Sequence, residues 1–484
     1  MTPDPAVLDD RPPGSDTPAP DRDASALHDE LTLAERYVGP VADAIEVKDV
    51  AALEALFEEL HPADLADVIA LLHEDERLAL IGLLGGSLPA DVLPELDAGL
   101  TEEVVGAMRP EAVAEAVSEL DTDDAAFILG ELDEEKRDEI LAKASTTDRI
   151  ALNQAFDFEE ESAGRLMQRE VFAAPAFWTV GQIIDRLRGK EELPDRFYEV
   201  FVVDPANKPI GAVPLATLLK TQRDVRIDTI MNDDIWPIPV TMDQEDVAYK
   251  FEQYNLISAP VVDEADRLVG MITVDDVVEI VHAESQEDML ALGGVESDAG
   301  ITDSVIETVR SRFSWLAVNL GTAILASMVI ASFGAAIEKI VALAVLMPIV
   351  ASMGGNAGTQ TLTVAVRSLA MRDLTASNAA RIIWREAIVG GVNGMMFAVI
   401  MGVLAGLWNY GMHHDAAQSA LLGVVIGAAM IINLVAAGLA GILIPLGLQR
   451  AGADPAVASA VFVTTVTDVV GFFVFLGLAA LVLL

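Results

Sequence analysis

Apolar residues follow three different rhythms along this chain. Between residues 31 and 150, Leu, Val and Ala recur at helical spacing in short bursts. The bursts read His61-Pro-Ala-Asp-Leu-Ala-Asp-Val-Ile, Pro89-Ala-Asp-Val-Leu, Pro110-Glu-Ala-Val-Ala-Glu-Ala-Val and Asp123-Asp-Ala-Ala-Phe-Ile-Leu. Pro or Asp at or near the start of each is helix N-terminus chemistry, followed by an amphipathic stripe. Short helices in repeat predict a small superhelical array, with an irregular helical bundle as the alternative. From Val171 the rhythm becomes that of strands. Phe197-Tyr-Glu-Val-Phe-Val-Val, a Pro-Ala-Asn-Lys-Pro turn and another apolar run read as two strands. The scheme returns as Ile257-Ser-Ala-Pro-Val-Val-Asp, Glu-Ala-Asp-Arg, Leu268-Val-Gly-Met-Ile-Thr and the helix start Val274-Asp-Asp-Val-Val. An α/β tandem repeat over 151–283 is expected.

The third rhythm is continuous. Five stretches are long and apolar enough to span a bilayer: Phe313–Ile337, Ile340–Val366, Ala387–Met412, Ala416–Gln449 and Pro455–Leu484. Residues 284–312, acidic at the start and Arg-rich at the end, read as one long connecting helix with a break near Gly293-Gly294.

Composition sharpens this division. The chain is 52% hydrophobic yet carries a formal net charge of −46. After Ser314 acidic and basic residues balance, so the whole excess lies before it. That excludes a soluble enzyme, a disordered protein and a nucleic-acid binder working through basic patches. It points to a membrane protein with an acidic soluble part. There is no Cys, hence no disulfide framework, thiolate metal site or Cys nucleophile. Residues 1–30, acidic and Pro-rich without a basic or apolar run, read as a disordered tail and not a secretory signal.

Lys and Arg set the orientation. Arg310, Arg312, Arg367, Arg372, Arg381, Arg385 and Arg450 fall on one side, and Lys339 on the other. This places a multi-pass protein in the plasma (inner) membrane with its N-terminus cytoplasmic and its C-terminus outside.

Asp468 is the one Asp, Glu, Lys or Arg within the five stretches as drawn. A carboxylate at bilayer depth costs roughly 2.5–3.5 kcal/mol on insertion scales. Either Thr464, Thr465 and Thr467 satisfy it, or a mobile cation does; the second is favoured. In the second stretch, Pro348 and the run Met353-Gly-Gly-Asn-Ala-Gly-Thr-Gln predict unwinding, with Gly355 beside Asn356 and Gln360 lining a wet cavity. Tight helix packing is the other use of such glycines. Asp454 stands at the cytosolic mouth, as a helix cap or as a ligand. His413 and His414 read as ordinary loop residues, and no HExxH motif supports an intramembrane enzyme. No GxxxxGK[ST] loop supplies ATP-driven pumping.

The second α/β copy, PVVDEADRLVGMITVDDVVEIV, resembles a CBS domain; the first is looser, with Pro214-Leu-Ala-Thr-Leu where the family has an acidic helix start. Thr273 and Asp276 keep the second copy eligible for a nucleotide such as ATP. Pro348 with the Met353 run, and Thr464-Thr-Val-Thr-Asp-Val-Val-Gly, resemble the membrane signatures of the MgtE magnesium channel family. The order of elements matches as well. The resemblance implies an all-α superhelical N domain, an α/β tandem CBS pair, a connecting plug helix and a five-helix transmembrane domain, assembled as a homodimer with one pore on its axis. It implies no enzyme and no nucleic acid. A Mg²⁺ or Co²⁺ ion would be held through water by Asp468 and the Thr464 carbonyl, with Asn356 and Thr359 on the wall. Some members carry Asn where this chain has Thr359. Regulatory Mg²⁺ would bind Asp91, Asp123, Asp243, Glu245, Asp276, Glu279, Glu284, Glu287 and Asp288, with Asp454 at the mouth; one family sensor acid falls on Asn255. A channel gated by cytosolic Mg²⁺ is the expected function, and a coupled secondary transporter of divalent cations is the rival.

Overall fold

A computed structural model describes residues 32–85, 88–189, 196–295, 305–375 and 377–484. The acidic tail at 1–30 and residues 296–304 of the connecting segment lie outside it. The described residues form two compact units, one ending at Phe156 and the other beginning at Asp157.

Among the described residues of the first unit, nine α-helices follow one another. They are α1 (Leu33–Val47), α2 (Val50–Glu58), α3 (Pro62–Leu71), α4 (Glu74–Leu84), α5 (Ala98–Ala107), α6 (Pro110–Val117), α7 (Thr122–Gly130), α8 (Glu134–Lys143) and α9 (Thr146–Phe156). Their starts explain the repeated phrases. Pro62 and Pro110 occupy first-turn positions whose N–H would be unpaired anyway. The Asp49 carboxylate and the His61 ring accept from main-chain N–H groups at the next starts. From α5 onward each helix packs on the next but one: α5 on α7, α6 on α8, α7 on α9. This is a superhelical stack around one continuous core.

The second unit opens with two copies of one α/β motif. After α10 (Ala163–Leu166), β1 (Ala173–Pro175) precedes α11 (Val180–Leu187), β2 (Glu199–Val203), β3 (Pro209–Pro214) and α12 (Leu215–Lys220). The second copy is β4 (Ile238–Pro239), α13 (Gln244–Tyr254), β5 (Ser258–Val262), β6 (Leu268–Thr273) and α14 (Val274–Gly293). In both sheets a parallel pair is extended by an antiparallel strand, with a register shift at Val202/Val203 and again at Val261/Val262. Both hairpins turn through one left-handed residue, Asn207 or Asp266, types that tolerate that conformation.

Where the connecting helix begins differs from expectation. It starts at Val274 as the last helix of the second copy and stops at Gly293, where Gly294 caps it with φ 70°. The next helix, α15 (Val305–Ser332), runs into the first span and ends before Phe333, which stands at the start of the short α16 (Gly334–Lys339). Then come α17 (Ala342–Ala370), α18 (Ala379–His413), α19 (Ala416–Arg450) and α20 (Pro455–Val482). Among the described residues, five helices are long and apolar enough to cross a membrane. The third starts well before Ala387, so Glu386 lies inside it and accepts from the Thr361 hydroxyl of α17 at 3.2 Å.

Small residues set the spacing of α18 and α19. A Cβ on Gly423 would stand 2.5 Å from the Gly402 carbonyl oxygen, and one on Gly390 2.7 Å from that of Leu434. Lipid offers no hydrophobic drive for helix association, so such close backbone approach is what holds the pair. Gly423→Ala should lower membrane-domain stability by about 1–3 kcal/mol. Gly411→Ala, with nothing within 4 Å of the added carbon, should be neutral. The thermal aggregation midpoints of the two variants in detergent check this contrast.

Candidate functional site: an intramembrane carboxylate and an acidic mouth

α17 and α20 meet where Gly358 removes a side chain: a Cβ there would lie 2.5 Å from Val463 Cγ1. The contact sets Thr467 Oγ1 4.0 Å from where a Gly355 Cβ would be. Asp468 follows Thr467 and is half-buried. The three threonines that could have satisfied it do not. Thr464 donates to the Ala460 carbonyl at 2.9 Å, Thr465 to Val461 at 2.6 Å and Thr467 to Thr464 at 2.9 Å. Among the described residues the Asp468 carboxylate has no hydrogen bond or ion pair.

The glycine run behaves otherwise than expected. α17 is helical without interruption from Ala342 to Ala370, through Pro348 and all three glycines. Gly354 and Gly358 are packing positions: a Cβ at Gly354 would fall 2.2 Å from the Asn433 side chain. The polar character of the run lies on its outside. Ser352, Asn356, Thr359 and Thr363 are all exposed and fall on one helical face, with Pro348 at its upper end and Gln360 beside it. Thr464 of α20 is exposed as well. Hydrocarbon is a poor solvent for such a face, so water or protein must cover it.

At the inner end of the helices a second cluster gathers. Ala291 at the tip of α14 is buried with Leu362 and Val366 of α17 and Ala456 and Val463 of α20, with Leu292 against them. Just behind the tip, Glu284 and Asp288 face the start of α13. There Asp243 caps the helix, accepting from Glu245 N at 2.9 Å. Asp454 caps α20, accepting from Ala456 N at 2.8 Å, and adds its charge to the same group. Burial, then the charges of Asp243, Asp288 and Asp454, push Glu245 up. Burial and then Asp454 push Asp288 up. Glu284 is pushed up to about 7 by burial, with Glu245, Glu287 and Glu161 adding to it and a hydrogen bond from Gln244 opposing.

The other predicted ligands are placed elsewhere. Asp91 lies exposed in a short 3₁₀ turn and Asp123 in the first turn of α7, both in the first unit. Asp276 forms a capping box with Thr273 at the start of α14, and the Thr273 hydroxyl also meets Asp275 at 2.5 Å. Glu279 is exposed one turn on. Asn255 ends α13 in the left-handed region, a conformation Asn accepts more readily than an acid with a longer side chain. Among the described residues no three acidic or imidazole groups converge as direct ligands of one ion. The donors at the mouth are all hard oxygens, which suit Mg²⁺ that keeps much of its water.

One contact gave no signal in the sequence. Arg372, in the loop between α17 and α18, pairs with Asp246 and lies over the Tyr249 ring, 4.4 Å from its centroid. Both partners are on α13, whose first turn carries Glu245. In the sequence Arg372 counted only toward orientation. A cavity of about 650 Å³ lies beside this contact, lined by Tyr249, Glu252, Arg367 and Asp373.

A helical domain, an α/β tandem and five apolar helices, one bearing an unpaired carboxylate, define an integral membrane protein of the ion-transport class. Family models agree segment by segment. The divalent cation transporter model of MgtE matches residues 347–478, the MgtE intracellular N domain 60–161 and the CBS domain 226–283. The magnesium transporter MgtE of Thermus thermophilus is 30% identical over 463 residues, covering 93% of this chain and 99% of that protein. That of Enterococcus faecalis is 32% identical over 330 residues, covering 68% and 71%. A crystal structure of the soluble part of a magnesium transporter is 26% identical, covers 52% of this chain and 99% of its own, and superposes with a TM-score of 0.47. The chain belongs to the MgtE family of magnesium transporters.

Two predictions follow from the mouth. A carboxyl whose pKa is raised by packing stabilises the packed state below its ordinary range near 4.5, and that contribution is lost as pH rises through about 7. In chelator, protection of residues 284–295 from protease should therefore fall as pH rises from about 5 to about 8, and Mg²⁺ should restore it at the upper end. Arg372→Ala should weaken docking of α13 by about 1 kcal/mol. Amide exchange across Gln244–Tyr254 in the full-length protein should rise by about fivefold.

Proposed function

We propose that the chain is a homodimeric Mg²⁺ channel that admits magnesium down its electrochemical gradient and is closed by cytosolic Mg²⁺. The observation that carries this reading is Asp468, a carboxylate without an internal partner on helices that expose a polar face at membrane depth. A second copy placed against that face would cover Asn356, Thr359 and Thr464 and bring two Asp468 groups toward one axis. Two like charges close together in low dielectric favour a divalent counter-ion strongly over a monovalent one. Mg²⁺ sheds its water reluctantly, so it would pass hydrated, held by Asp468 and the Thr464 carbonyl. Two charges falling through ~100 mV gain about 4.6 kcal/mol, enough to drive entry without ATP. The Arg-rich side faces the cytosol in this reading, with the N-terminus inside and the C-terminus outside.

The mouth supplies the gate. With Ala291 and Leu292 seated between α17 and α20, the tip of α14 stands in the way of the inner exit. Asp243, Glu245, Glu284, Asp288 and Asp454 repel one another when ionised. Hydrated Mg²⁺ among them would offset that repulsion and keep the tip seated; loss of Mg²⁺ would release it. Asp91 and Asp123 would hold regulatory Mg²⁺ as well, as would Asp276, Glu279 and Glu287. Negative feedback on magnesium entry is the result. ATP at the tandem repeat would bind near Thr273 and Asp276.

Expression in a bacterium that cannot grow without added Mg²⁺ tests the reading. The wild type should restore growth, and Asp468→Ala should reduce uptake by at least about tenfold. Undiminished rescue by that variant removes Asp468 from permeation. Unitary currents from the reconstituted wild type would exclude the coupled-transporter alternative.

A further inference from the structure

Three membrane helices meet at a single amide. Asn433, midway along α19, is completely buried. Its Nδ2 donates to the Val350 carbonyl of α17 at 2.8 Å. The same nitrogen would be 2.2 Å from a Cβ on Gly354 and 2.8 Å from one on Gly471. The amide therefore occupies space that α17 and α20 both leave empty by having no side chain there. Its Oδ1 is buried without a hydrogen-bond partner.

A buried polar atom without a partner destabilises the fold that holds it. An apolar side chain of similar volume would fill the gap without that cost. The amide must then supply something that shape alone does not. Its one bond falls two residues after Pro348, where α17 has lost a main-chain donor and is least able to hold its own direction. Its other contact, Gly471, lies one turn beyond Asp468, and Gly354 lies two residues before Asn356.

We infer that Asn433 is a positioning residue for permeation. It pins the turn after Pro348 to α19, wedges against Gly471, and so fixes the offset between the Asn356 wall and the Asp468 carboxylate. That offset sets which hydrated divalent ion fits. The inference rests on the reading of Asp468 as the ion's ligand.

Uptake of Mg²⁺ and of Co²⁺ by the full-length protein in liposomes, at equal amounts of folded protein, tests it. Asn433→Leu and Asn433→Ala should change the Mg²⁺ to Co²⁺ uptake ratio by about tenfold, while Asn433→Ser, which keeps a donor, should recover part of it. Gly354→Ala alone should abolish transport, and Asn433→Ala should restore room for the added methyl in the double variant. A wild-type ratio in Asn433→Leu or Asn433→Ala overturns the positioning role when Asp468→Asn is inactive in the same assay. Transport by Asp468→Asn at the wild-type rate overturns the reading beneath it. Should neither single variant fold, the Gly354→Ala/Asn433→Ala protein decides by the same ratio: a wild-type value counts against the role, a shifted one for it.

Discussion

The membrane half of this protein is organised by the cost of leaving a negative charge out of water. Asp468 is the point at which that cost is incurred. Its neighbours Thr464, Thr465 and Thr467 spend their hydroxyls on main-chain carbonyls one turn back, which keeps the helix intact and leaves the carboxylate to an outside partner. The exposed stripe on α17 is the matching half of the arrangement: polar groups that neither pack inside the chain nor suit lipid. Compensation must come from outside the chain, and the proposed passage of a divalent ion is the form of it that this arrangement favours.

The soluble half works with the same quantity under other conditions. Glu245, Glu284 and Asp288 are crowded and part-buried, so each resists ionisation, yet each lies near enough to solvent for a cation to reach it. Protons relieve that electrostatic strain, and in the proposed gate Mg²⁺ would relieve it in their place. The raised Glu284, titrating at about 7, sits where small changes in either would tell.

Much of this was legible in the residues, for identifiable reasons. The spans stand out because charged residues are nearly absent from them, and the helix starts because Pro62, Pro110 and Asp49 are local chemistry. The strand pairs of the tandem repeat follow from alternation and turns. Glycine was ambiguous: a Gly run serves unwinding and close packing equally well, and only the approach of Asn433 to Gly354 and of Val463 to Gly358 separates the two. Asn433 itself is one polar residue in the apolar run Ile431-Ile-Asn-Leu-Val and carries no local signal. Arg372 was equally silent, because its partners Asp246 and Tyr249 are distant in the chain. Glu386 was missed because the helix containing it extends beyond the apolar stretch from which its span was drawn.

α14 has a mechanical side. It is a single rod from the edge of a β-sheet at Thr273 to a glycine stop at Gly294, with no joint between. Twenty residues of helix make a lever roughly 30 Å long. A tilt of about 5° at the sheet swings the far end by about 2.5 Å. Stiffness thus acts as gain: a rearrangement too slight to break any strand pairing is magnified where Ala291 and Leu292 rest against α17 and α20.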